Sequence, residues 1–553
     1  MRESDLPEED SARIPLRVIA LVSVAIVIYV RIRLLGVPLE RDEGEYAYIG
    51  QLILQGIPPY QLAYSMKLPG IHAAYALIMA IFGESPRGIH MGLLLVNLAT
   101  IAVMFLLVRR LFDEAAAAAA ASAYAMLSLS PTVLGVFAHA THFVVLPAVA
   151  GMLSLLRAIE KGKNFHFFLS GVFFGLAFVM KQHGIFFVLL GAAWLVVESL
   201  HQGTGATKLA TRGGWYTLGA VLPLAMIVAV LVAAGVFQNF WFWTFEYARA
   251  YASEMPLEYG FRLFTGKLLR VTGATLPIWI FALIGLTTPL WDGKGRERQG
   301  VIFLFLVFSF LSICPGFYFR EHYFVLMLPV VGLLAGAAVS AAIRRQNHGG
   351  IVGKLAKVSV YIFIAAIIFP VVVYGEQYFR MAPSRLSREI YGPNPFPEAV
   401  EIASRISASS GPNDSVAILG SEPEILFYSN RRSATGHIYM YGLMEPQPYA
   451  SRMQMETARE IEAARPKHMV VVNIPASWLV RRNSDRFIFQ WIDQYVKAHY
   501  NRVGVADITS MTETSYIWGK AAVNYQPRSP YCIFLFERNA EPHAHGDLKN
   551  PKY

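Results

Sequence analysis

The sequence predicts a polytopic α-helical membrane protein that carries a soluble C-terminal α/β domain. Apolar residues make up 55% of the 553 residues and charged residues only 16%, and the mean hydropathy is +0.42. Such values are typical of multi-pass membrane proteins. Apolar runs dominate up to about residue 375, and charged residues are much denser afterwards. We therefore predict a membrane domain over residues 1–375 and a soluble domain over residues 376–553.

A membrane-spanning helix needs roughly twenty mostly apolar residues. Hydropathy predicts about eleven such spans, at residues 15–35, 88–108, 114–131, 133–156, 166–181, 184–200, 215–236, 272–290, 300–318, 323–343 and 358–375. The apolar run Ile71–Phe82 is short for a span, so we predict that it forms a helix in the outer membrane interface.

Basic residues recur at every second loop, for example at Arg109-Arg110 and Arg344-Arg345. Assigning these loops to the cytoplasm satisfies the positive-inside rule, which also accounts for the net charge of +10 without a nucleic-acid partner. The loop 37–87, the turn near Arg320 and the soluble domain then lie on the outer side. We predict a multi-pass protein of the bacterial inner membrane with an extracytoplasmic C-terminal domain.

Predicted strands and helices alternate in the soluble domain. Short apolar runs predict strands at residues 416–420, 469–473 and 531–536, and helical spacing predicts helices at residues 450–464 and 484–499. This alternation predicts a small α/β domain. The proline-rich segment 391–397 at its entry is predicted to be a linker.

An acidic cluster follows the first apolar segment: Asp42, Glu43 and Glu45 lie within four residues of one another. Carboxylates at the mouth of a membrane helix are costly unless they are solvated or paired, and they suit proton abstraction or cation binding. In a helix, Asp42 and Glu45 share a face while Glu43 points elsewhere. Lys67 follows nearby and could pair with the acids or bind phosphate. The alternative is a solvated helix start, which acidic residues stabilise through the helix dipole.

Further charged residues lie at predicted outer ends of spans. Lys181 stands against the positive-inside bias and needs a partner, either a lipid phosphate or a carboxylate. Arg320, Glu321 and His322 form a charged cluster between two spans. Arginine and histidine suit phosphate contacts, whereas an Arg320–Glu321 ion pair is the alternative.

A pair of histidines offers a weak candidate metal site. His139 and His142 are three residues apart and can share a helix face. Two histidines alone make a poor metal site, and buried structural histidines are commoner. A divalent metal ion is therefore left open as a cofactor.

Four segments together resemble a known family. They are Asp42-Glu43, Lys67-Leu68-Pro69, the run from Gly175 to Gln182, and His322-Tyr323-Phe324 followed by Pro329. Their order and placement resemble the polyprenyl- or dolichyl-phosphate-sugar-dependent glycosyltransferases of the GT-C superfamily. This group includes the protein O-mannosyltransferases of family 39 and the bacterial enzymes that add aminoarabinose to lipid A. The resemblance covers roughly residues 15–375.

The resemblance implies a GT-C membrane domain that moves a sugar from a polyprenyl-phosphate donor to an extracytoplasmic lipid, glycan or protein, as in lipopolysaccharide or protein glycosylation. In the family, an aspartate of the first external loop acts as general base or organises the acceptor. By position this role falls to Asp42, with Glu43 and Glu45 as supporting acids. The residues expected at the donor phosphate are Lys67, Lys181, Arg320 and His322.

Met66 departs from the family pattern. It stands where the lipid A enzymes have a metal-associated glutamate directly before a Lys-Pro-Pro turn, which leaves metal binding open. Two other classes of function also fit a chain with many spans. A secondary transporter would show inverted repeats and charges at mid-membrane, and no convincing repeat is found. A non-catalytic subunit of envelope glycan assembly would tolerate neutralisation of Asp42.

Overall fold

The computed structural model describes residues 8–346 and 350–539, which form two compact units that meet in sequence after Gly392. The first unit is almost entirely helical. Its helices are α1 (Glu8–Arg33), α2 (Arg41–Leu54), α3 (Pro69–Phe82), α4 (Pro86–Leu111), α5 (Glu114–Leu129), α6 (Ala140–Lys161), α7 (Asn164–Met180), α8 (Ile185–His201), α9 (Ala206–Ala233), α10 (Phe237–Trp241), α11 (Ala248–Ala252), α12 (Leu257–Thr272), α13 (Leu276–Leu286), α14 (Thr288–Trp291), α15 (Gly293–Glu297), α16 (Gln299–Ile313), α17 (Leu328–Ile343), α18 (Gly350–Val373), α19 (Gly375–Phe379) and α20 (Pro383–Tyr391).

Several of these helices are long and apolar enough to cross a membrane, which confirms a multi-pass membrane protein. Within the described residues there are 8 such segments: Ile14–Arg33, Pro86–Leu111, Ala140–Lys161, Gln182–His201, Ala206–Ala233, Leu257–Leu286, Glu321–Ile343 and Gly353–Val373. Three further predicted spans coincide with α5, α7 and α16, which are shorter apolar helices. The count of eleven spans and the interfacial position of α3 stay predictions.

Small residues allow α5 and α17 to pack closely at the centre of the first unit. The alanine run of α5 is buried along its whole length, although alanine is only weakly apolar. A Cβ added at Gly336 of α17 would lie 2.3 Å from the carbonyl oxygen of Ala116, and one added at Gly332 would lie 3.1 Å from that of Ala120. The backbones therefore approach in the way that small-residue interfaces permit in membrane helices.

An ion-pair network closes one end of this helix pair. Asp113 caps the N-terminus of α5, and its Oδ2 lies 2.7 Å from Nη1 of Arg344. Nη2 of Arg344 lies 2.7 Å from Oδ2 of Asp292. One guanidinium thus ties the start of α5 and the end of α17 to the segment between α14 and α15.

The second unit is the predicted α/β domain. Its elements are α21 (Phe396–Ser409), β1 (Ser415–Leu419), α22 (Pro423–Ser429), β2 (Arg432–Ser433), α23 (Tyr441–Met444), α24 (Ala450–Ala464), β3 (His468–Asn473), α25 (Pro475–Trp478), α26 (Phe487–His499), β4 (Tyr500–Ile508), β5 (Thr514–Trp518), α27 (Lys520–Val523) and β6 (Cys532–Arg538). The strands form one sheet in the order β2-β1-β3-β6-β4-β5. Strands β1, β2 and β3 are parallel, and the remaining pairings are antiparallel. The three predicted strands and both predicted helices are confirmed.

Candidate active site

The acidic cluster lies in the first two turns of α2, which begins with a capping box. The N-cap is Glu40, whose side chain accepts a hydrogen bond from the Glu43 amide at 2.9 Å. The Glu43 carboxylate in turn accepts from the Glu40 amide at 3.0 Å. This reciprocal pair satisfies two amide donors that a helix start leaves free, so it fixes where α2 begins and where Asp42 lies.

Glu43 is fully buried and ties α2 to two other segments. Its Oε1 lies 3.0 Å from Nε2 of His90 on α4 and also accepts a hydrogen bond from the Ala138 amide ahead of α6. Nδ1 of His90 lies 3.0 Å from the Leu35 carbonyl oxygen. Both ring nitrogens of His90 thus face acceptors, an arrangement that a doubly protonated imidazolium satisfies. Glu43 therefore holds the loop before α6 next to α2.

Asp42 and Glu45 share the face of α2 that the helical spacing predicts, and both face Lys67. The Lys67 Nζ lies 3.3 Å from Oδ1 of Asp42 and 3.4 Å from Oε2 of Glu45. It also lies 5.4 Å from the centre of the Tyr46 ring. The lysine therefore bridges the two carboxylates, while Glu43 has its own partners.

Two histidines adjoin Asp42. Nδ1 of His139 lies 4.0 Å from Oδ2 of Asp42 and 3.5 Å from Oε1 of Glu40. The rings of His139 and His322 are stacked, with centroids 4.2 Å apart and planes 11° apart. One ligand atom from each of Asp42, His139 and His322 lies within 4.8 Å of the other two.

His142, the other sequence candidate for a metal ligand, lies apart from this group. It is 1% exposed, and neither of its ring nitrogens has a hydrogen-bond partner among the described residues. Of the two histidines that the sequence offered as a metal site, the structure groups His139 with Asp42, and it brings His322 to the same place.

Lys181 and Arg320 extend the positive charge of the site. The Lys181 Nζ lies 4.2 Å above the ring of Tyr323. Nη2 of Arg320 lies 3.3 Å from the Tyr251 hydroxyl, and its guanidinium carbon lies 5.6 Å from the centre of the Tyr318 ring. Aromatic faces stabilise both cations.

Glu321 belongs to a separate charged group. Its Oε1 forms ion pairs with Lys267 and Arg270 of α12, the latter at 3.3 Å. Glu321 therefore contacts α12. Its neighbour Arg320 acts on Asp42 of the acidic cluster.

The electrostatic surroundings shift the pKa values of Asp42 and Glu45 in opposite directions. Burial alone would raise the pKa of Asp42, but Lys67, His139, Lys181 and Arg320 together hold it well below its usual range. Burial raises the pKa of Glu45 in spite of Lys67. Asp42 therefore stays ionised, and the predicted cations act on it together.

Sequence reasoning missed three residues of the site, namely Glu40, His90 and Tyr391. The spacing of Glu40 and Glu43 is that of a capping box and could have revealed the first. His90 and Tyr391 are far away along the chain and carry no local signal. Tyr391 was predicted to begin a linker, yet it ends α20 and its hydroxyl lies 3.3 Å from Nε2 of His139.

Part of the sequence matches a known family, and the fold is similar to that of solved proteins. Residues 67–233 match the family described as dolichyl-phosphate-mannose-protein mannosyltransferase. ArnT from Cupriavidus metallidurans, solved bound to undecaprenyl phosphate, is similar in structure, with a TM-score of 0.54 and 17% identity over 82% of this chain and 92% of that chain. Among curated proteins, none matches this sequence.

A second similar fold is that of AglB, the archaeal oligosaccharyltransferase from Archaeoglobus fulgidus. Its complex with an inhibitory peptide and a dolichol-phosphate gives a TM-score of 0.52 and 13% identity over 91% of this chain and 74% of that chain. Its complex with Zn and sulfate gives 0.51 and 14% identity over 90% and 72% of the two chains.

The predicted resemblance and the predicted GT-C membrane fold with a C-terminal sheet domain are confirmed. The family match over residues 67–233 agrees with the predicted class, a membrane glycosyltransferase that uses a lipid-phosphate sugar. Lys67, His139 and Lys181 lie inside the matched range, and Asp42 and His322 lie outside it. At 17% identity or less, the solved structures define the fold of this chain and not its substrate.

Proposed function

We propose that this protein transfers a sugar from a polyprenyl-phosphate carrier to an acceptor on the outer face of the bacterial inner membrane. The observation that carries the proposal is an ionised carboxylate, Asp42, on which Lys67, Lys181 and Arg320 act together. Such a site has a place for a phosphate monoanion and, beside it, a group that can handle a proton. The structural similarity to ArnT bound to undecaprenyl phosphate supports a lipid carrier.

The cations serve the donor phosphate. Guanidinium and ammonium groups make charge-assisted hydrogen bonds to phosphate oxygens. Their effect on rate comes from the charge that grows on the phosphate as the bond between the anomeric carbon and the phosphate oxygen breaks. Lys67, Lys181 and Arg320 would stabilise the departing polyprenyl phosphate, which takes the bonding electron pair.

Asp42 serves the acceptor. In the absence of donor its pKa is too low for an efficient base, because a base works best when its pKa lies near the ambient pH. A bound phosphate would neutralise the neighbouring cations and so raise the pKa of Asp42. The acceptor hydroxyl then gives its proton to Asp42 as its oxygen bonds to the anomeric carbon.

Asp42 and the two histidines beside it form a candidate site for a divalent metal ion, a cofactor that the sequence left open. Asp42, His139 and His322 offer one carboxylate and two imidazoles, a donor set that Zn²⁺ and related ions accept. Nδ1 of His139 is buried and has no hydrogen-bond partner among the described residues, so a cation would satisfy it. A bound ion would add positive charge beside the leaving phosphate. Metal analysis of purified wild type and His322→Ala tests this, with loss of the ion expected only in the variant.

All the residues named above lie in the first unit, so we assign catalysis to the membrane domain. The test of the function is release of radiolabelled sugar from a set of polyprenyl-phosphate donors by membranes that contain the protein, with membranes that lack it as the control. Native envelope extract supplies the acceptor. Consumption of one donor supports the proposal and identifies the sugar. Consumption of none, with extract present and insertion verified, contradicts it.

A further inference from the structure

Tyr391 contacts the segment that carries His139. Its ring packs edge-on against Phe137, with centroids 4.9 Å apart and planes 74° apart. Its hydroxyl lies 3.3 Å from Nε2 of His139. Because Phe137 and His139 are two residues apart ahead of α6, one tyrosine contacts both side chains of this segment.

The position of Tyr391 is fixed by the end of its helix. Tyr391 is the last residue of α20, whose Leu386 is 1% exposed. Gly392 follows with a φ of 63°, in the left-handed region that favours glycine. The Gly392 carbonyl accepts a hydrogen bond from Nη1 of Arg388 at 3.0 Å, and Arg388 is itself buried. The helix end therefore holds the phenol against His139.

We propose that Tyr391 is a positioning residue that holds the His139 ring so that its Nδ1 edge faces Asp42 and Glu40. The inference rests on the proposed function, because it assigns a second residue to the same site.

The stacking on His322 defines the plane of the His139 ring but leaves two orientations, related by a half-turn about the Cβ–Cγ bond. Only a group at the ring edge can select between them. Tyr391 lies at the Nε2 edge, whereas the carboxylates of Glu40 and Asp42 lie at the Nδ1 edge.

The hydroxyl suits this role because it can both donate and accept. When it donates to Nε2, the neutral imidazole carries its proton on Nδ1, toward the two carboxylates. When a cation occupies Nδ1, the N–H at Nε2 donates to the phenol oxygen instead.

The test replaces the hydroxyl alone. Tyr391→Phe should lower kcat for donor consumption about three- to tenfold, the range expected for one lost hydrogen bond. The KM for the donor should stay unchanged, because the phosphate-binding cations are untouched. The matched control is Tyr378→Phe, which removes a buried hydroxyl that lies 3.4 Å from the Leu129 carbonyl oxygen. Thermal unfolding of both variants checks that they fold like the wild type.

A double-mutant cycle separates positioning from a structural role. In a His139→Ala background, Tyr391→Phe should have no further effect on kcat. An unchanged kcat in Tyr391→Phe, an equal loss in Tyr378→Phe, or a loss that persists without His139 would overturn the inference while the function stands. If the wild type consumes no donor, the proposed function fails first and this inference fails with it.

Discussion

Replacing His90 by leucine should destabilise the first unit, because it leaves a buried carboxylate without its cation. Glu43 is 0% exposed and His90 is 3% exposed, and the two side chains meet at 3.0 Å. Removing one partner of a buried ion pair typically costs about 3–5 kcal/mol. Two backbone amides still donate to Glu43, so we expect the lower end, about 3 kcal/mol.

The assay is thermal unfolding of the purified protein in detergent at one fixed scan rate, since membrane proteins of this size often unfold irreversibly. One kcal/mol shifts Tm by about 2–4 °C in domains of 150–250 residues, and by less in a larger unit. His90→Leu should therefore lower Tm by several degrees. His201→Leu, at the exposed end of α8, is the matched control and should leave Tm within about a degree.

A second variant tests the reason for the effect. Glu43→Gln removes the negative charge but keeps an oxygen that can accept from the two backbone amides. In that background, His90→Leu should cost much less than in the wild type, because no buried charge is left unpaired. Equal Tm values for wild type and His90→Leu, or additive losses in the double variant, would refute the inferred ion pair.

Two further predictions concern the packing and the ion-pair network of the helices. Gly336→Ala should destabilise the protein by about 1–3 kcal/mol or abolish its insertion, because its Cβ would meet a backbone carbonyl of α5; Gly213→Ala, which has open space, should be neutral by the same unfolding assay. Arg344→Met should lower Tm because it leaves two aspartates without their shared guanidinium. The control is Arg262→Met, which breaks an exposed ion pair with Glu258 that should contribute little to stability. Equal Tm losses in the two arginine variants would contradict this account.

Much of the fold follows from local patterns. Apolar runs of about twenty residues locate the long helices because the hydrocarbon thickness dictates their length. The spacing of Asp42 and Glu45 places both carboxylates at Lys67 because helix periodicity is local. Strand β4 is not predicted from the sequence, since Asn501, Arg502 and Asp507 interrupt its apolar pattern.

The rest of the site depends on contacts between distant segments. The rings of His139 and His322 stack although 183 positions separate the two residues in the sequence. The residues around either histidine give no indication of this contact. In the sequence, Glu43 resembles the other two acids of the cluster. Its burial against His90 and Ala138 depends on how α2, α4 and the loop before α6 pack together. Tyr391 stands beside proline-rich sequence, and only the packing of α20 brings its hydroxyl to His139.

The most direct test of the central claim compares donor binding and donor consumption in Asp42→Asn. Asparagine keeps the shape of Asp42 but cannot take a proton, and loss of a positioned base typically lowers the rate about 10²–10⁴-fold. The variant should bind the polyprenyl-phosphate donor at least as tightly as the wild type, because a negative charge beside the phosphate is gone. Asp493→Asn, at an exposed pair with Lys497, is the matched control and should turn over normally. Wild-type turnover by Asp42→Asn would contradict the account.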